Sequence, residues 1–519
     1  MKKLLTGLIA GASVLFVSSI GFSAPSDDTF VVGLPTDTKG LEPAQISSRH
    51  TANIMKHMFG TLFFISEKGT LDPNLAESYS VSDDAKEYTF VLKDGLTCHD
   101  GEALTAEDVA YTFNRVVDPE LAFVGNSAGF VFPSIDFQSA RADSELEVTI
   151  VMGAPNHVAL GLISEVYVHC KDSYEKMSKE EAAENPIGSG AYEFVKWDKG
   201  SQIVMKKVAN SAVPANFENL IWRVIPEAST RTAELIAGNV DMITNASPDQ
   251  VDVIDASSTA KVQKVSGTRR MYVGFHQGEE YAVTEGGKAI QKSEVRRAIQ
   301  YAVDVEAICA NLLNAPCERA TGLVNPNNAH PTLKPYPYNP EIAEYLLDQA
   351  GYPRDANGVR FEITLEAGQG RYLNDKNVVL AICQYLDDIG VKTTCDIMDW
   401  SSVYVPKIRK KEAGPMFFLG SGGGTWNPLY DMSDLATVES GPNYTKWDNP
   451  EWFKGWKVIN NSMDPFVIRR EIDRMLEVFY NEGPWLLLYF QPDFYGVSNR
   501  VKWQERRDEE VDIFDASLR

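Results

Sequence analysis

The chain has 519 residues, of which 44% are hydrophobic, 10% are aromatic and 23% are charged, and its formal net charge is −23. This composition is that of an ordinary globular protein. The negative charge argues against nucleic acid or an anionic membrane surface as a partner, because either would require a basic face. The length exceeds what one hydrophobic core usually serves, so we expect at least two lobes.

The first residues have the pattern of a secretory signal peptide. Two lysines precede an apolar run, Leu4–Phe22, that is too short and too rich in small residues for a membrane anchor. We expect cleavage near Ser23 or Ala24, so residues 1–24 are assigned to the signal. No cysteine precedes Cys98, which leaves no lipid-attachment residue at the cut. An uncleaved anchor is the alternative, but no second long apolar run supports it. The mature protein is therefore expected in a bacterial periplasm.

Short strands and helices alternate along the first half of the chain. Phe30–Leu34 is predicted as a buried strand and Thr51–Met58 as a helix. Residues 88–92 alternate between apolar and polar side chains, as in a half-buried strand. Thr105 and Asp108 have the spacing of a capping box, which predicts that a helix begins there.

The second half continues this alternation. Helices are predicted to begin at Ser293 and at Asn339, which is followed by a proline suited to the first helical position. A strand at Phe361–Glu366, a helix capped by Asn374 and a strand from Val391 then form a βαβ unit. Such a unit implies a parallel sheet covered by helices. The sequence therefore predicts an α/β protein of several lobes.

Six cysteines in an exported protein make disulfide bonds an expectation. Cys383 lies on the apolar face of a predicted helix and Cys395 on the strand that follows, so the two are expected to meet where helix and strand pack. The other two expected pairs are Cys309 with Cys317 and Cys98 with Cys170. Spacing alone does not fix the pairing, and buried free thiols are the alternative for each pair.

Three stretches of the sequence resemble one protein family. They are Leu92–Arg115 (LKDGLTCHDGEALTAEDVAYTFNR), Asn185–Lys207 (NPIGSGAYEFVKWDKGSQIVMKK) and Ser293–Ile308 (SEVRRAIQYAVDVEAI). In pattern, order and spacing they are similar to the family 5 extracellular solute-binding proteins, the dipeptide-, oligopeptide- and nickel-binding components of ABC importers. The resemblance spans essentially the whole mature chain.

The resemblance implies a fold and a division of the chain. The fold is an α/β, bilobal periplasmic-binding-protein clamp with an extra subdomain. Lobe I would comprise residues 25–59, 188–277 and 485–519. The inserted subdomain would comprise residues 60–187, and lobe II residues 278–484.

The resemblance also implies a function without catalysis. A small-molecule ligand would lie between the lobes, and a membrane-embedded ABC permease would recognise the closed form. No cofactor, metal or nucleic acid is expected, and the protein is expected to be a monomer. An exported hydrolase and a periplasmic chaperone or sensor are the alternatives, although no nucleophile–base motif supports the hydrolase.

The absence of an aspartate from one predicted binding stretch indicates which class of ligand to expect. In peptide-binding relatives, an aspartate in a Gly-Trp-x-x-Asp motif pairs with the peptide's α-amine. The corresponding stretch here, Gly420–Pro428, has Ser421 for the tryptophan and Gly424 for the aspartate, and contains no acid. Because a desolvated ammonium without a counter-charge is costly, we expect an oligosaccharide, an opine-like conjugate or an organic acid. An ordinary di- or oligopeptide is the alternative if Asp431 or Glu366 supplies the charge.

An arginine gives the site its predicted chemistry. In dipeptide-binding relatives, an arginine just before the helix of the βαβ unit in the second lobe pairs with the ligand's carboxylate, and Arg371 matches that position. A guanidinium suits an enclosed anion because it binds carboxylates bidentately. A solvent-exposed arginine on a polar loop is the alternative. The other predicted ligand-binding residues are Trp426, Gly424, Asn427, Arg270, Tyr272 and His50.

Overall fold

The structure is a computed structural model that describes residues 24–46, 48–315, 317–422, 426–462 and 464–519, without the side chain of Ser401. Residues 1–23, which contain most of the predicted signal peptide, and Gly424 lie outside this set. Among the described residues, no helix is long and apolar enough to cross a membrane.

Strands and helices alternate over the whole described chain. The strands are β1 Thr29–Leu34, β2 Phe63–Ile65, β3 Leu71–Pro73, β4 Ala76–Val81, β5 Glu87–Leu92, β6 Phe137–Ala142, β7 Glu147–Met152, β8 Tyr192–Asp198, β9 Gln202–Lys207, β10 Asn219–Val224, β11 Met242–Ile243, β12 Ala260–Phe275, β13 Phe361–Gln369, β14 Val391–Asp399, β15 Met416–Ser421, β16 Trp485–Ser498, β17 Val501–Lys502 and β18 Ser517–Leu518. The helices are α1 Arg49–Met58, α2 Ala106–Val116, α3 Phe132–Ser134, α4 Ala159–Ile163, α5 Lys171–Tyr174, α6 Lys179–Glu184, α7 Ala228–Ile236, α8 Val251–Ala256, α9 Glu285–Gln291, α10 Ser293–Ala302, α11 Val305–Leu312, α12 Pro340–Gln349, α13 Asp375–Asp388, α14 Val405–Arg409, α15 Pro428–Ser433, α16 Pro450–Asn460 and α17 Pro465–Glu482.

One mixed sheet runs through the molecule in the order β14-β13-β15-β12-β16-β11-β1-β10-β9-β8. On one flank β1 pairs in parallel with β10 and β11, and on the other β13 pairs in parallel with β14 and β15. The predicted βαβ unit is confirmed as β13, α13 and β14. The fold is the predicted α/β clamp, and we keep the predicted lobe bounds as names for its parts.

Two long antiparallel strands, β12 and β16, pair with each other between the two parallel flanks of the sheet. Their register is irregular between Ser266 and Arg270 and again between Arg270 and Tyr272. Within this stretch, a Cβ on Gly267 would stand 2.5 Å from the carbonyl oxygen of Gln491, so only glycine allows the backbones to approach this closely. The irregular stretch places Arg269 and Arg270 where the lobes meet.

The inserted subdomain is a four-stranded antiparallel sheet in the order β4-β5-β7-β6, covered by α2. The capping box predicted at Thr105 and Asp108 is present at the start of α2. A buried ion-pair network joins the subdomain to lobe I, because Glu42 accepts hydrogen bonds from Arg115 at 3.2 Å and lies 2.8 Å from His169.

All six cysteines are paired in the structure. The disulfides are Cys98–Cys170, Cys309–Cys317 and Cys383–Cys395. The third bond joins α13 to β14, as expected from the packing of a helix on its neighbouring strand.

Two predicted details of local structure are wrong. The side chain of Asn374 does not cap α13: its backbone is left-handed (φ 49°) and its Nδ2 donates to the carbonyl of Leu312 instead. The helix predicted at Thr51–Met58 begins two residues earlier, at Arg49, so that His50 lies in its first turn, because the Ser48 hydroxyl accepts from the backbone N–H of Thr51.

Candidate ligand-binding cleft

The lobes are in contact across the cleft. The Trp426 indole Nε1 donates to Asp508 Oδ2 at 3.3 Å, which joins a loop of lobe II to the C-terminal segment of lobe I. The Asn427 amide donates to the carbonyl of His157 at 3.4 Å, and the ring of His157 lies 3.0 Å from the carbonyl of Ile459. These hydrogen bonds join lobe II to lobe I and to the subdomain.

Arg269 and Glu509 form an ion pair at the hinge. Arg269 donates through Nε and Nη2 to the two carboxylate oxygens of Glu509, the second bond being 3.0 Å long. Burial alone would raise the pKa of Glu509, but the adjacent Arg269 guanidinium overrides it and holds the pKa at about 2. Glu509 is therefore fully ionised at neutral pH.

Arg371 lies beside this pair and is positioned by its loop. The Asp375 carboxylate accepts from the backbone N–H groups of Arg371 and Tyr372 at 2.9 and 3.0 Å, which fixes the turn between β13 and α13. The Arg371 guanidinium stands 4.0 Å from Glu509, is 27% exposed and forms no hydrogen bond with any residue that the structure describes. Burial, followed by the charge of Arg269, lowers its pKa. Arg371 is thus a partly buried guanidinium that Glu509, across the boundary between the predicted lobes, only partly compensates.

His50 and Asp493 complete what we call the arginine cluster: Arg269, Arg371, Glu509, His50 and Asp493. Burial and the charge of Arg371 lower the pKa of His50 to about 4, so its ring is neutral at physiological pH. Burial and the charge of Glu509 raise the pKa of Asp493 well above its usual range. The raised pKa favours the neutral form of Asp493, so Glu509 is the carboxylate that pairs closely with an arginine of the cluster.

A cavity of about 180 Å³ lies in the same cleft, between lobe II and the subdomain. Within it Arg270 pairs with Asp431 at 3.1 Å and donates to the Ser421 hydroxyl at 3.1 Å, and Ser421 donates to Asp434. Burial raises the pKa of Asp434 to about 6, with the Asp431 charge adding to that effect. The rings of Phe130 and Tyr430 form part of the wall. We call this group the acid cavity, since it has two carboxyl groups for one guanidinium.

The chain has clear relatives among known proteins. Residues 70–442 match the family described as bacterial extracellular solute-binding proteins, family 5 Middle. The chain belongs to this family. It is 25% identical over 500 residues to the glutathione-binding protein GsiB of Escherichia coli (strain K12), covering 93% of this chain and 92% of that protein. It is 27% identical over 511 residues to heme-binding protein A of Haemophilus influenzae, covering 92% and 90%.

Solved structures agree with this assignment at the level of the fold. The substrate-binding protein CtaP of Listeria monocytogenes superposes with a TM-score of 0.82 at 19% identity, covering 94% of this chain and 99% of that one. The protein is therefore a non-enzymatic, extracytoplasmic solute-binding protein of an ABC importer, as the sequence resemblance implied.

The residues predicted for the site of this solute-binding protein fall into three groups. The structure places Arg371 beside Glu509 in the arginine cluster, with His50 near enough for the Arg371 charge to lower its pKa, and it places Arg270 in the acid cavity. Trp426 and Asn427 lie at the contacts between the lobes, Trp426 being 6% exposed. Tyr272 is buried in the core with its ring stacked on Trp485 at 3.9 Å, so it has no free face for a ligand. Gly424 lies outside the described residues.

Four of the charged site residues were not among the predicted ligand-binding residues: Arg269, Glu509, Asp493 and Asp434. Glu509 belongs to the charged run 505–510, which is typical of a solvated surface segment. Of the two acids offered as substitutes for the missing aspartate, Asp431 is paired with Arg270. Both oxygens of Glu366 accept from Lys407 at 2.7 Å, so that acid is already satisfied.

Proposed function

We propose that this solute-binding protein captures a small organic acid without a required free amine, and that the ligand's carboxylate pairs with Arg371. Such a ligand can be an opine-like conjugate, an acidic saccharide or a simple organic acid. The mature protein, cut near Ser23 or Ala24, acts as a periplasmic monomer and delivers the ligand to a membrane-embedded ABC permease. The single observation that supports this ligand class is that the partly exposed Arg371 guanidinium stands 4.0 Å from Glu509, across the boundary between the predicted lobes, and is only partly compensated by it.

The charge balance favours an anion at this position. Arg269 is already matched by Glu509 through two hydrogen bonds, whereas Arg371 comes no closer than 4.0 Å to that carboxylate and forms no hydrogen bond with a described residue. A buried guanidinium gains most from a bidentate carboxylate, since both charges are then hydrogen-bonded. His50 is neutral here and adds a hydrogen-bonding group without adding charge.

The relatives' ligands share one chemical feature. GsiB is named for glutathione and heme-binding protein A for heme, and both of these molecules carry carboxylate groups. Their different shapes give no common scaffold from which to choose a ligand here, but a carboxylate is compatible with both.

Binding closes the clamp by differential affinity. A ligand that contacts Arg371 of lobe II and His50 of lobe I favours the conformation in which both are near it. The contact between Trp426 and Asp508 forms only when the lobes approach, so it adds to the closed state. The permease then distinguishes loaded from empty protein by its shape.

A peptide with a free amine is the second candidate, and the acid cavity favours it. Asp434 has only Ser421 as a hydrogen-bond partner among the described residues. An ammonium group in the cavity would lower the pKa of Asp434 and pair with it. In this case Asp434, ten positions beyond Gly424, would take the place of the missing aspartate.

Four matched compounds separate the two candidates: Ala-Ala, N-acetyl-Ala-Ala, Ala-Ala-amide and the doubly blocked N-acetyl-Ala-Ala-amide. They are added to a panel of organic acids, opines and oligosaccharides, and binding is measured by thermal shift. A ligand at 100 times its Kd adds about 2.7 kcal/mol to the free energy of unfolding, which is readily detected. We expect compounds with a free carboxylate to bind whether or not the amine is blocked.

Substitution of Arg371 completes the test. Arg371→Ala should weaken binding of the best panel compound by about a hundredfold, because a desolvated carboxylate loses its charge partner. Arg297→Ala, an exposed arginine on α10, is the matched control and should have no effect. If binding needs the amine and Asp434→Asn abolishes it, while Arg371→Ala does not, the peptide candidate replaces our proposal.

A further inference from the structure

Glu509 has a left-handed backbone conformation that the side chain of Asn53 stabilises. Its backbone is left-handed (φ 61°), a conformation that costs free energy for a residue with a side chain. The Asn53 side chain donates to the carbonyl of Glu509 at 2.9 Å and accepts from the N–H of Val511 at 3.1 Å, which fixes the backbone around it. The chain thus maintains a strained turn whose result is a carboxylate inside the ligand cleft.

The residues on either side of Glu509 also form hydrogen bonds and ion pairs. Asp508 accepts from Arg506 and from the indole of Trp426. Glu510 pairs with Lys56 at 2.5 Å and with Arg49 at 3.4 Å. Because its neighbours Asp508 and Glu510 pair with other cations, Glu509 is the residue of this segment whose carboxylate lies within 4.0 Å of both arginines of the arginine cluster.

The geometry of the pair shows what this carboxylate does. It occupies the Nε–Nη2 edge of Arg269, the edge that a bidentate carboxylate ligand would use, while remaining 4.0 Å from Arg371. Without it, the cleft would present two adjacent guanidinium groups. Two such groups select doubly charged anions, and one selects singly charged anions.

We propose that Glu509 is a specificity-determining residue that acts as an internal carboxylate: it occupies Arg269 and so restricts this end of the cleft to a single negative charge. This inference rests on the proposed function, since it takes Arg371 as the ligand's partner. The expected ligand end group is a monocarboxylate. A dianion such as a phosphate monoester or a geminal dicarboxylate is excluded because its second charge would face Glu509.

The test uses sulfate as the dianionic probe and acetate as the monoanionic probe, both titrated at constant ionic strength and neutral pH. The NMR signal of the His50 ring reports binding, since this ring senses the charges of Arg371, Glu509 and Arg269. In Glu509→Gln, the affinity for sulfate relative to acetate should rise about tenfold, because the removed charge repelled the second charge of sulfate. Glu505→Gln, in the same segment, is the matched control and should leave the ratio unchanged.

A purely structural role for Glu509 gives a different result. In that case Glu509→Gln lowers the melting temperature while the sulfate-to-acetate ratio stays at its wild-type value, and the proposal is overturned. Arg269→Gln provides a second test that does not require removing Glu509. Glu509 would then turn to Arg371, and acetate binding should weaken about tenfold although Arg269 itself need not touch the anion. Unchanged acetate binding in Arg269→Gln also overturns the proposal.

A double variant separates this inference from the proposed function. Arg371→Gln is added to Glu509→Gln, and sulfate binding is measured again. If sulfate still binds tightly, then Arg269 is the exposed anion site, so Glu509 does mask Arg269 but the assignment of the ligand to Arg371 fails. If sulfate binding is lost, both the masking role of Glu509 and the role of Arg371 are supported.

Discussion

Arg269 and Arg270 are neighbours on β12 in opposite electrostatic surroundings. Arg269 lies in the arginine cluster beside a second guanidinium, Arg371, which forms no hydrogen bond with a described residue. Arg270 lies in the acid cavity with two carboxyl groups, and its side chain is 1% exposed. In the first region Arg371 is left only partly compensated, and in the second Arg270 is committed to its ion pair with Asp431. The number of carboxyl groups around each arginine therefore separates a guanidinium proposed for binding, Arg371, from one that serves the fold, Arg270.

The largest effect expected from this comparison is on stability at Arg270. Arg270→Met leaves Asp431 as a buried carboxylate without its cation, which should lower the free energy of unfolding by about 3–5 kcal/mol. Arg371→Met should cost less than about 1 kcal/mol, because its guanidinium is partly exposed and 4.0 Å from its partner. Urea denaturation of the two variants measures the difference.

A second substitution controls for the loss of packing at Arg270. Adding Asp431→Asn removes the stranded charge and keeps an acceptor for the backbone N–H of Asn325, which donates to Asp431 at 3.0 Å. The double variant should recover about half of the lost stability. If Arg270→Met and Arg371→Met cost the same, the proposed division between structural and ligand-binding arginines is wrong.

Features formed by residues close together in the sequence were predicted better than contacts between distant residues. Local signals identified the capping box at Thr105 and the βαβ unit, because the interactions that form them are close along the chain. The resemblance directed attention to Arg371 and His50. The pairing of Arg269 with Glu509 could not be predicted from local sequence signals, because Glu509 lies 240 positions further along the chain. Which charges meet there depends on the hinge irregularity and on the path of the C-terminal segment.

The acid cavity also shows what a motif search misses. Inspection of Gly420–Pro428 found no acid, yet the Ser421 hydroxyl donates to Asp434, which lies one helix further along the chain. The chain reverses at α15 and returns the carboxylate to the end of β15. A motif defined by spacing cannot detect a carboxylate that returns to the site through a folded helix.

Asp434 of the acid cavity and Glu509 of the arginine cluster should make stability depend on pH in opposite directions. The pKa of Asp434 is raised from 3.8 to about 6, so the folded protein keeps its proton while the unfolded chain loses it. The contribution of the protonated Asp434 carboxyl to the free energy of unfolding is fully present below about pH 4. It falls by about 2 kcal/mol as the pH rises to about 6. Glu509, whose pKa is lowered to about 2, contributes stability that is present above about pH 4.5 and lost as the pH falls.

Urea denaturation between pH 3 and pH 7 checks both signs. Asp434→Asn should remove the loss of stability between about pH 4 and pH 6 and leave the acid side of the profile unchanged. Glu509→Gln should instead flatten the acid side. A profile in which Asp434→Asn changes only the acid side would show that its carboxyl is not the one raised by burial.

The smallest predicted effect concerns the contact that joins lobe II to the segment carrying Glu509. Trp426→Phe keeps the ring but removes the hydrogen bond to Asp508, which exists only while the lobes are closed. Affinity depends on the fraction of closed protein, so ligand binding should weaken about fivefold, as expected for a hydrogen bond of about 1 kcal/mol. The melting temperature of the empty protein should hardly change.

Trp456→Phe is the matched control, because its indole N–H has no hydrogen-bond partner among the described residues, and it should leave affinity unaltered. Equal losses in the two variants would mean that ring packing, rather than the bond to Asp508, accounts for the effect, and closure would then depend on the charges of the arginine cluster alone.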